Sequence, residues 1–182
     1  MVIFLLEEPS MKTFLEVLLA KVFPSSHYKL IPHEGKSDLE RSIPRKIRGM
    51  QAVATAFVIV RDQHSVTDCK SLKSQLLELA QGGAAEVIVR IVCRELESWL
   101  LGELSAIEHS LEVPGLTKQA TRRKFRNPDQ LVNAQEELAK LCPRYSKTHG
   151  ARAVAAQFDP AKCCSRSFQV FFESALRLLR TA

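Results

Sequence analysis

The sequence predicts an α/β fold, a mostly parallel four-stranded sheet with crossover helices and a helical C-terminal part. Three observations predict it. Apolar, β-rich segments at residues 2–6, 28–32, 55–60 and 86–92 alternate with helical patterns, as crossover connections between parallel strands require. The third of these, Phe57-Val58-Ile59-Val60, is continuously apolar and halts at Arg61-Asp62, the pattern of a buried parallel strand delivering an acid to the carboxyl edge of its sheet. The first behaves alike: residues 2–6 are apolar and Glu7-Glu8 follow at once.

In chain order, Ser10 is an expected N-cap for a helix with Phe14, Leu15, Leu18 and Val22 on one face, ending before Pro24. After the second strand, Leu39, Ile43 and Ile47 recur every four residues, with Pro44 predicting a kink or a break into two short helices. Residues 67–80 read as a helix with Leu72, Leu76 and Leu79 inward, stopped by Gly82-Gly83. After the fourth strand the pattern turns helical. RELESWLLGEL places Leu96, Trp99 and Leu100 inward, and residues 114–127 form a basic connection. Asn127-Pro128 reads as a cap starting a helix with Leu131, Leu138 and Leu141. Residues 151–158 and 168–179 are the last helical segments. Residues 1–104 are thus expected to form the α/β core, and 105–182 a helical extension packed on it within one compact domain.

A chain of 182 residues, 46% hydrophobic and 25% charged, has the composition of a globular domain with a sizeable core. No apolar run reaches membrane-spanning length, and the first lacks a preceding basic region, so it reads as a strand and not a signal peptide; a cytoplasmic location is expected. Five cysteines without CxxC spacing argue against a disulfide framework and a zinc knuckle. The net charge of +6 permits a polyanionic partner without demanding one.

If the strands are parallel, Glu7, Asp62, Glu95 and Glu97 all lie at one sheet edge. Crowded carboxylates repel unless a cation sits among them, and oxygen-rich clusters suit Mg²⁺ or Mn²⁺. A lysine or arginine filling the gap would remove that need. Asp68 is a candidate ligand, though its simpler role is a helix cap. His64, two residues after Asp62, is equally readable as a ligand better suited to Mn²⁺, Fe²⁺ or Zn²⁺ than to Mg²⁺ or as a solvent-exposed loop residue. Lys36 follows the second strand and points toward the same edge. Arg41, Arg45 and Lys46, with Arg122, Arg123 and Lys124, are candidates for holding a phosphate backbone, or else solvated helix faces. The stretch HEGK lacks Walker spacing, and sparse aromatics leave a base-stacking platform unsupported.

The pattern resembles a Toprim-type domain, the Rossmann-like module of primases, topoisomerases and overcoming-lysogenization-defect nucleases, marked by a glutamate after the first strand and an Asp-x-Asp after the third. More specifically it resembles the bacterial family called domain of unknown function 4276, on EEPSM (7–11), HEGKSDL (33–39), DQHSVTDC (62–69), ELESWLLGE (95–103), KTHGARAVA (147–155) and SRSFQVFF (165–172). The resemblance implies divalent-metal phosphodiester chemistry on DNA or RNA, a place in bacterial anti-phage defence, and an ATPase as protein partner. It implies Glu7 as the acid/base or metal-ligand glutamate and Asp62 as the main metal-binding aspartate, supported by Asp68 and Glu97. Three positions depart from the family pattern: Glu8 replaces glycine, Met11 a glutamate, and His64 the second aspartate. The leading expectation is therefore a Mg²⁺- or Mn²⁺-dependent nuclease. The alternatives are a catalytically degenerate subunit docking on an ATPase and an enzyme acting on a small phosphate ester. The oligomeric state stays open.

Overall fold

Four strands, β1 (Val2–Leu6), β2 (Tyr28–Pro32), β3 (Ala56–Asp62) and β4 (Glu86–Val92), form one sheet in the order β2-β1-β3-β4, with every neighbouring pair parallel. The computed structural model describes residues 1–143 and 145–181. The predicted α/β fold class holds. β3 runs two residues beyond its predicted end, because Arg61 and Asp62 stay paired with Ile91 and Val92 of β4. Asp62 is thus the last residue of a strand and not part of a loop.

Strand side chains alternate between two faces, and so does the core. Phe4, Leu6, Val58 and Val60 pack under α1 (Pro9–Ala20), α4 (Leu96–Leu101) and the C-terminal helices, whereas Ile3, Leu5, Phe57 and Ile59 pack under two others. These are α2 (Lys36–Met50), with Leu39, Ile43 and Ile47 buried, and α3 (Cys69–Leu79), with Leu72 and Leu76 buried. Both faces are covered, which explains the unbroken apolar runs of β1 and β3.

Several local expectations are corrected. α1 begins at Pro9 with Glu8 as its N-cap, so Ser10 lies inside the helix and donates its hydroxyl to Glu8 Oε2. Proline at the first helical position forfeits no internal bond. The helix ends at Ala20, leaving Val22 53% exposed. Pro44 does not divide α2, which remains one element although proline cannot donate to the carbonyl of Glu40. Gly35, at φ 95°, enters α2 in a backbone conformation that suits glycine, and its N–H donates to Glu7 O at 2.9 Å. Leu79 is turned outward at 37% exposure.

Beyond β4, α5 (Leu104–Ser110) is capped by Glu103, which accepts from Ser105 N and Ala106 N. The basic connection contains a 3-10 turn at Thr117–Gln119 and the short α6 (Arg123–Arg126). Pro128 opens only a 3-10 turn, Pro128–Gln130, and α7 starts later (Ala134–Leu141). Asp129 in that turn accepts from Ser165 Oγ, Ser167 N and Ser167 Oγ, tying the turn to the start of α9 (Arg166–Arg180). α8 (Lys147–Gln157) packs on α1, and α9 packs on β4. Around Trp99 the rings of Phe14, Phe168 and Phe171 lie at centroid distances of 6.4, 5.4 and 4.8 Å, tying α9 to α1 and α4.

Ser167 Oγ joins these parts, accepting from Trp99 Nε1 at 2.8 Å and Cys93 N at 3.3 Å and donating to Asp129 Oδ1 at 3.1 Å. Ser167→Ala leaves the buried indole N–H unpaired. The expected cost is about 1–3 kcal/mol, read as a lower urea midpoint at unchanged slope.

Candidate acidic site at the sheet edge

Parallel pairing of β1 and β3, with Leu6 opposite Val60, brings their tips together. Glu7 N donates to Val60 O at 3.2 Å, and Glu7 Oε2 accepts from Asp62 N at 3.0 Å. Both carboxylates are buried, Glu7 at 2% and Asp62 at 1% exposure.

Their surroundings differ because side chains alternate across the sheet. Glu7 is held on the side of α2 and α3. Its Oε1 meets His64 Nε2 at 2.8 Å, and its Oε2 lies 3.8 Å from Arg61 Nε, while Arg61 Nη2 reaches Glu40 Oε1 at 3.5 Å. Asp62 lies among Glu8, Glu97 and Lys147, whose charges act on it together with that of Glu7. Lys147, at the start of α8, pairs with Glu8 Oε2 at 3.0 Å, and Glu97, at 1% exposure, accepts from the Tyr145 hydroxyl at 3.0 Å. Among the described residues no cation forms an ion pair with Asp62, and its buried Oδ1 has no hydrogen-bond partner.

The electrostatics follow. Burial first, then the charges of Glu7, Glu8 and Glu97, hold the Asp62 carboxyl well above the usual range, and Lys147 offsets this only in part. Glu97 is also raised, by burial, against the pull of Lys147. Burial pulls the Lys147 ammonium down, but its Glu8 hydrogen bond and the charges of Glu97, Glu8 and Asp62 outweigh that and raise it. Raised carboxyls bind protons more tightly in the folded than in the unfolded chain, so stability falls as pH climbs from the ordinary carboxylate range near 4 through the raised values. In scanning calorimetry the metal-free chain is expected to melt higher at about pH 5 than at about pH 8, and saturating Mn²⁺ is expected to flatten that slope. At lower pH, Glu86 and Glu137, lowered by bonds to Arg177 and Lys124, lose their pairing and the trend reverses.

His64 sits at φ 51° and Arg94 at φ 69°, both left-handed. His64 N donates to Arg94 O at 2.9 Å, and Arg94 Nη1 reaches His64 O at 3.4 Å. The exits of β3 and β4 thereby brace each other in a sparsely populated conformation of the kind that clusters at functional sites, and this turns the imidazole back onto Glu7.

Of the candidates named from sequence, Glu7, Asp62, Glu97 and His64 come together, with His64 directed at Glu7. Asp68 is exposed and caps α3 by accepting from Lys70 N at 2.8 Å. Lys36 is the exposed first residue of α2, and Arg41 and Arg45 are exposed farther along it, with Lys46 half-buried. Arg122, Arg123 and Lys124 lie at α6, where Lys124 pairs with Glu137 at 2.6 Å and covers the Phe125 ring at 4.9 Å. Glu95 accepts from Gln135 N at 2.9 Å. Sequence reasoning missed Arg61, Tyr145 and Lys147 as site residues. The KTHG run offered a signal for Lys147, but nothing in its spacing ties it to Asp62.

Among the described residues no three His, Cys, Asp or Glu side chains are grouped to hold a metal ion. Mg²⁺ does not need such a cage, since it keeps several waters and uses one or two carboxylates with substrate phosphates. The orphaned Asp62 Oδ1 amid surplus negative charge fits that mode.

Among the described residues no helix is long and apolar enough to cross a membrane. No curated protein matches the chain. Among solved structures it is similar to the C-terminal region of the Burkholderia pseudomallei OLD protein, at 20% identity and a TM-score of 0.61 over 99% of this chain and 96% of that one. That likeness establishes a common fold. A family model also matches residues 6–174, from the tip of β1 into α9, and the chain belongs to that family, described as Domain of unknown function (DUF4276).

Proposed function

We propose that this protein is a divalent-metal-dependent phosphodiesterase acting on nucleic acid, with Asp62 as the principal metal-holding residue. The observation that carries the reading is the buried, unpartnered Asp62 Oδ1, on a carboxylate that feels the charges of three others and is paired with no cation among the described residues. Asp62 and Glu97 would hold Mg²⁺ or Mn²⁺, which when bound supplies Lewis-acid polarisation of a phosphate and a lowered pKa for water. Glu7, fixed by Asp62 N, Arg61 and His64, is placed to hold or move a proton beside that ion. Lys147, beside Glu8 and the charges of Asp62 and Glu97, offers a donor for a substrate phosphate oxygen. The family and the fold of the OLD C-terminal region support the reading. Defence against phage, with an ATPase as partner, is the setting proposed for it.

The test is hydrolysis of plasmid DNA, single-stranded DNA and RNA with Mg²⁺, Mn²⁺ or EDTA, alongside mononucleotide esters. Metal-dependent cleavage of a polymer, faster than of any mononucleotide, is expected. Cleavage undiminished in EDTA would sink the proposal. A second reading, a binding subunit without catalysis, draws on Glu7 already being engaged by Arg61 and His64. Calorimetry showing no uptake of either ion would favour it.

A further inference from the structure

β4 is an edge strand with β3 on one side only. Backbone groups of successive strand residues point to opposite sides. Val92 O accepts from Gln63 N and Arg94 O from His64 N, so the even-numbered residues face β3. The odd-numbered ones face outward, and two contacts agree: Cys93 N donates to Ser167 Oγ, and Val89 O accepts from Arg90 Nη1. Among the described residues the outward groups of Val87 and Ile91 and the N–H of Val89 have no hydrogen-bond partner.

This edge does not open onto a flat surface. A groove of about 280 Å³ runs along it, walled by Cys69, Lys70 and Lys73 of α3 on one side and Arg166, Ser167 and Val170 of α9 on the other. Val89 and Ile91 form its floor. Among the described residues none of Lys70, Lys73 and Arg166 forms an ion pair, while the Arg90 guanidinium is already spent on Ser174 Oγ and Val89 O. The carboxylate in the lining, Asp129, is consumed by Ser165 and Ser167.

We infer that the groove between α3 and α9 accepts an extended acidic segment of a partner protein, which adds to the sheet as a fifth strand beside β4. Strand addition draws affinity from main-chain hydrogen bonds and specificity from alternate side chains. Here the edge supplies the first, while the apolar floor and unpaired cations select alternating apolar and acidic residues. Lysines also guard bare edges against pairing, but these line a walled slot with an apolar floor. A polynucleotide would use the cations and leave both the floor and the backbone groups unsatisfied. The inference stands apart from the metal site, since no residue of the groove belongs to it.

The experiment is fluorescence anisotropy with the full chain, using as probes a labelled heptapeptide of alternating Glu and Val, its Lys/Val counterpart and oligothymidylate. The expected result is saturable binding of the Glu/Val probe alone, weakened tenfold or more in Lys70→Glu/Lys73→Glu, in Arg166→Glu and in Ile91→Pro. Proline at 91 removes an outward N–H and leaves the β3 ladder intact; should it unfold the chain, the charge reversals decide. Four results would overturn the inference: no binding of the Glu/Val probe up to about 1 mM, equal binding of the Lys/Val probe, full competition by oligothymidylate, or unchanged affinity in the variants. Self-association abolished by Ile91→Pro would assign the edge to a second copy and overturn it as well.

Discussion

Asp62→Asn is expected to raise the melting temperature of the metal-free protein while lowering metal-dependent hydrolysis by roughly 10³-fold. The two changes have one cause. Once the pH passes its raised pKa, Asp62 carries a buried charge beside Glu7, Glu8 and Glu97, and among the described residues no cation pairs with it. An asparagine keeps the shape, removes the charge and relieves the repulsion; breaking up such a like-charge cluster should return about 1–2 kcal/mol. For a chain of this length that is a rise of about 2–8 °C. Losing an ion that stabilises several kcal/mol of developing charge produces the rate loss. Thermal melts and hydrolysis rates on the same preparations check both arms. A destabilised Asp62→Asn with full activity would mean that the carboxylate serves the fold alone.

The second large effect is expected from Glu7→Gln, and it differs in sign for stability. Glu7 compensates Arg61, whose side chain is 5% exposed and whose Nε and Nη1 have no hydrogen-bond partner among the described residues. With Glu7 neutral, Arg61 keeps, among the described residues, Glu40 at 3.5 Å, a partner whose side chain is 40% exposed. Breaking a buried pair from one side costs about 3–5 kcal/mol when no substitute exists, and the remaining Glu40 contact brings the expectation to about 2–3 kcal/mol. Hydrolysis should fall by about 10²–10⁴-fold through loss of the proton acceptor. Urea denaturation reads the stability arm and steady-state kinetics the catalytic one. Opposite shifts in stability for Glu7→Gln and Asp62→Asn would separate a compensated carboxylate from an uncompensated one.

The sequence announced the sheet because its signal is local. Val2–Leu6 and the first five residues of β3, Ala56–Val60, are apolar on both faces, as strands covered by helices on two sides must be, and the acids at their tips are read directly from the run. The acidic edge was therefore legible down to Glu7, Asp62 and Glu97. The counter-charges were not. Lys147 reaches Glu8 from 139 residues away, and Arg61 of β3 finds Glu40 on α2, so both contacts depend on tertiary packing that no spacing rule encodes. The role of His64 was hidden for another reason: its direction is set by a left-handed backbone braced against Arg94, a pairing visible only once β3 and β4 are side by side. Asp68 shows the converse, since the ordinary cap it resembled is what it is.

The resulting picture assigns different work to the two strand tips. Glu7 is charge-compensated by Arg61 and His64, whereas among the described residues the Asp62 carboxylate pairs with no cation. The most direct measurement is an anomalous difference map from crystals soaked in Mn²⁺. The account predicts a peak against Asp62 Oδ1, within reach of Glu97 or Glu7. Empty density there, with Lys147 Nζ closed onto Asp62 as a lasting counter-ion, would contradict it.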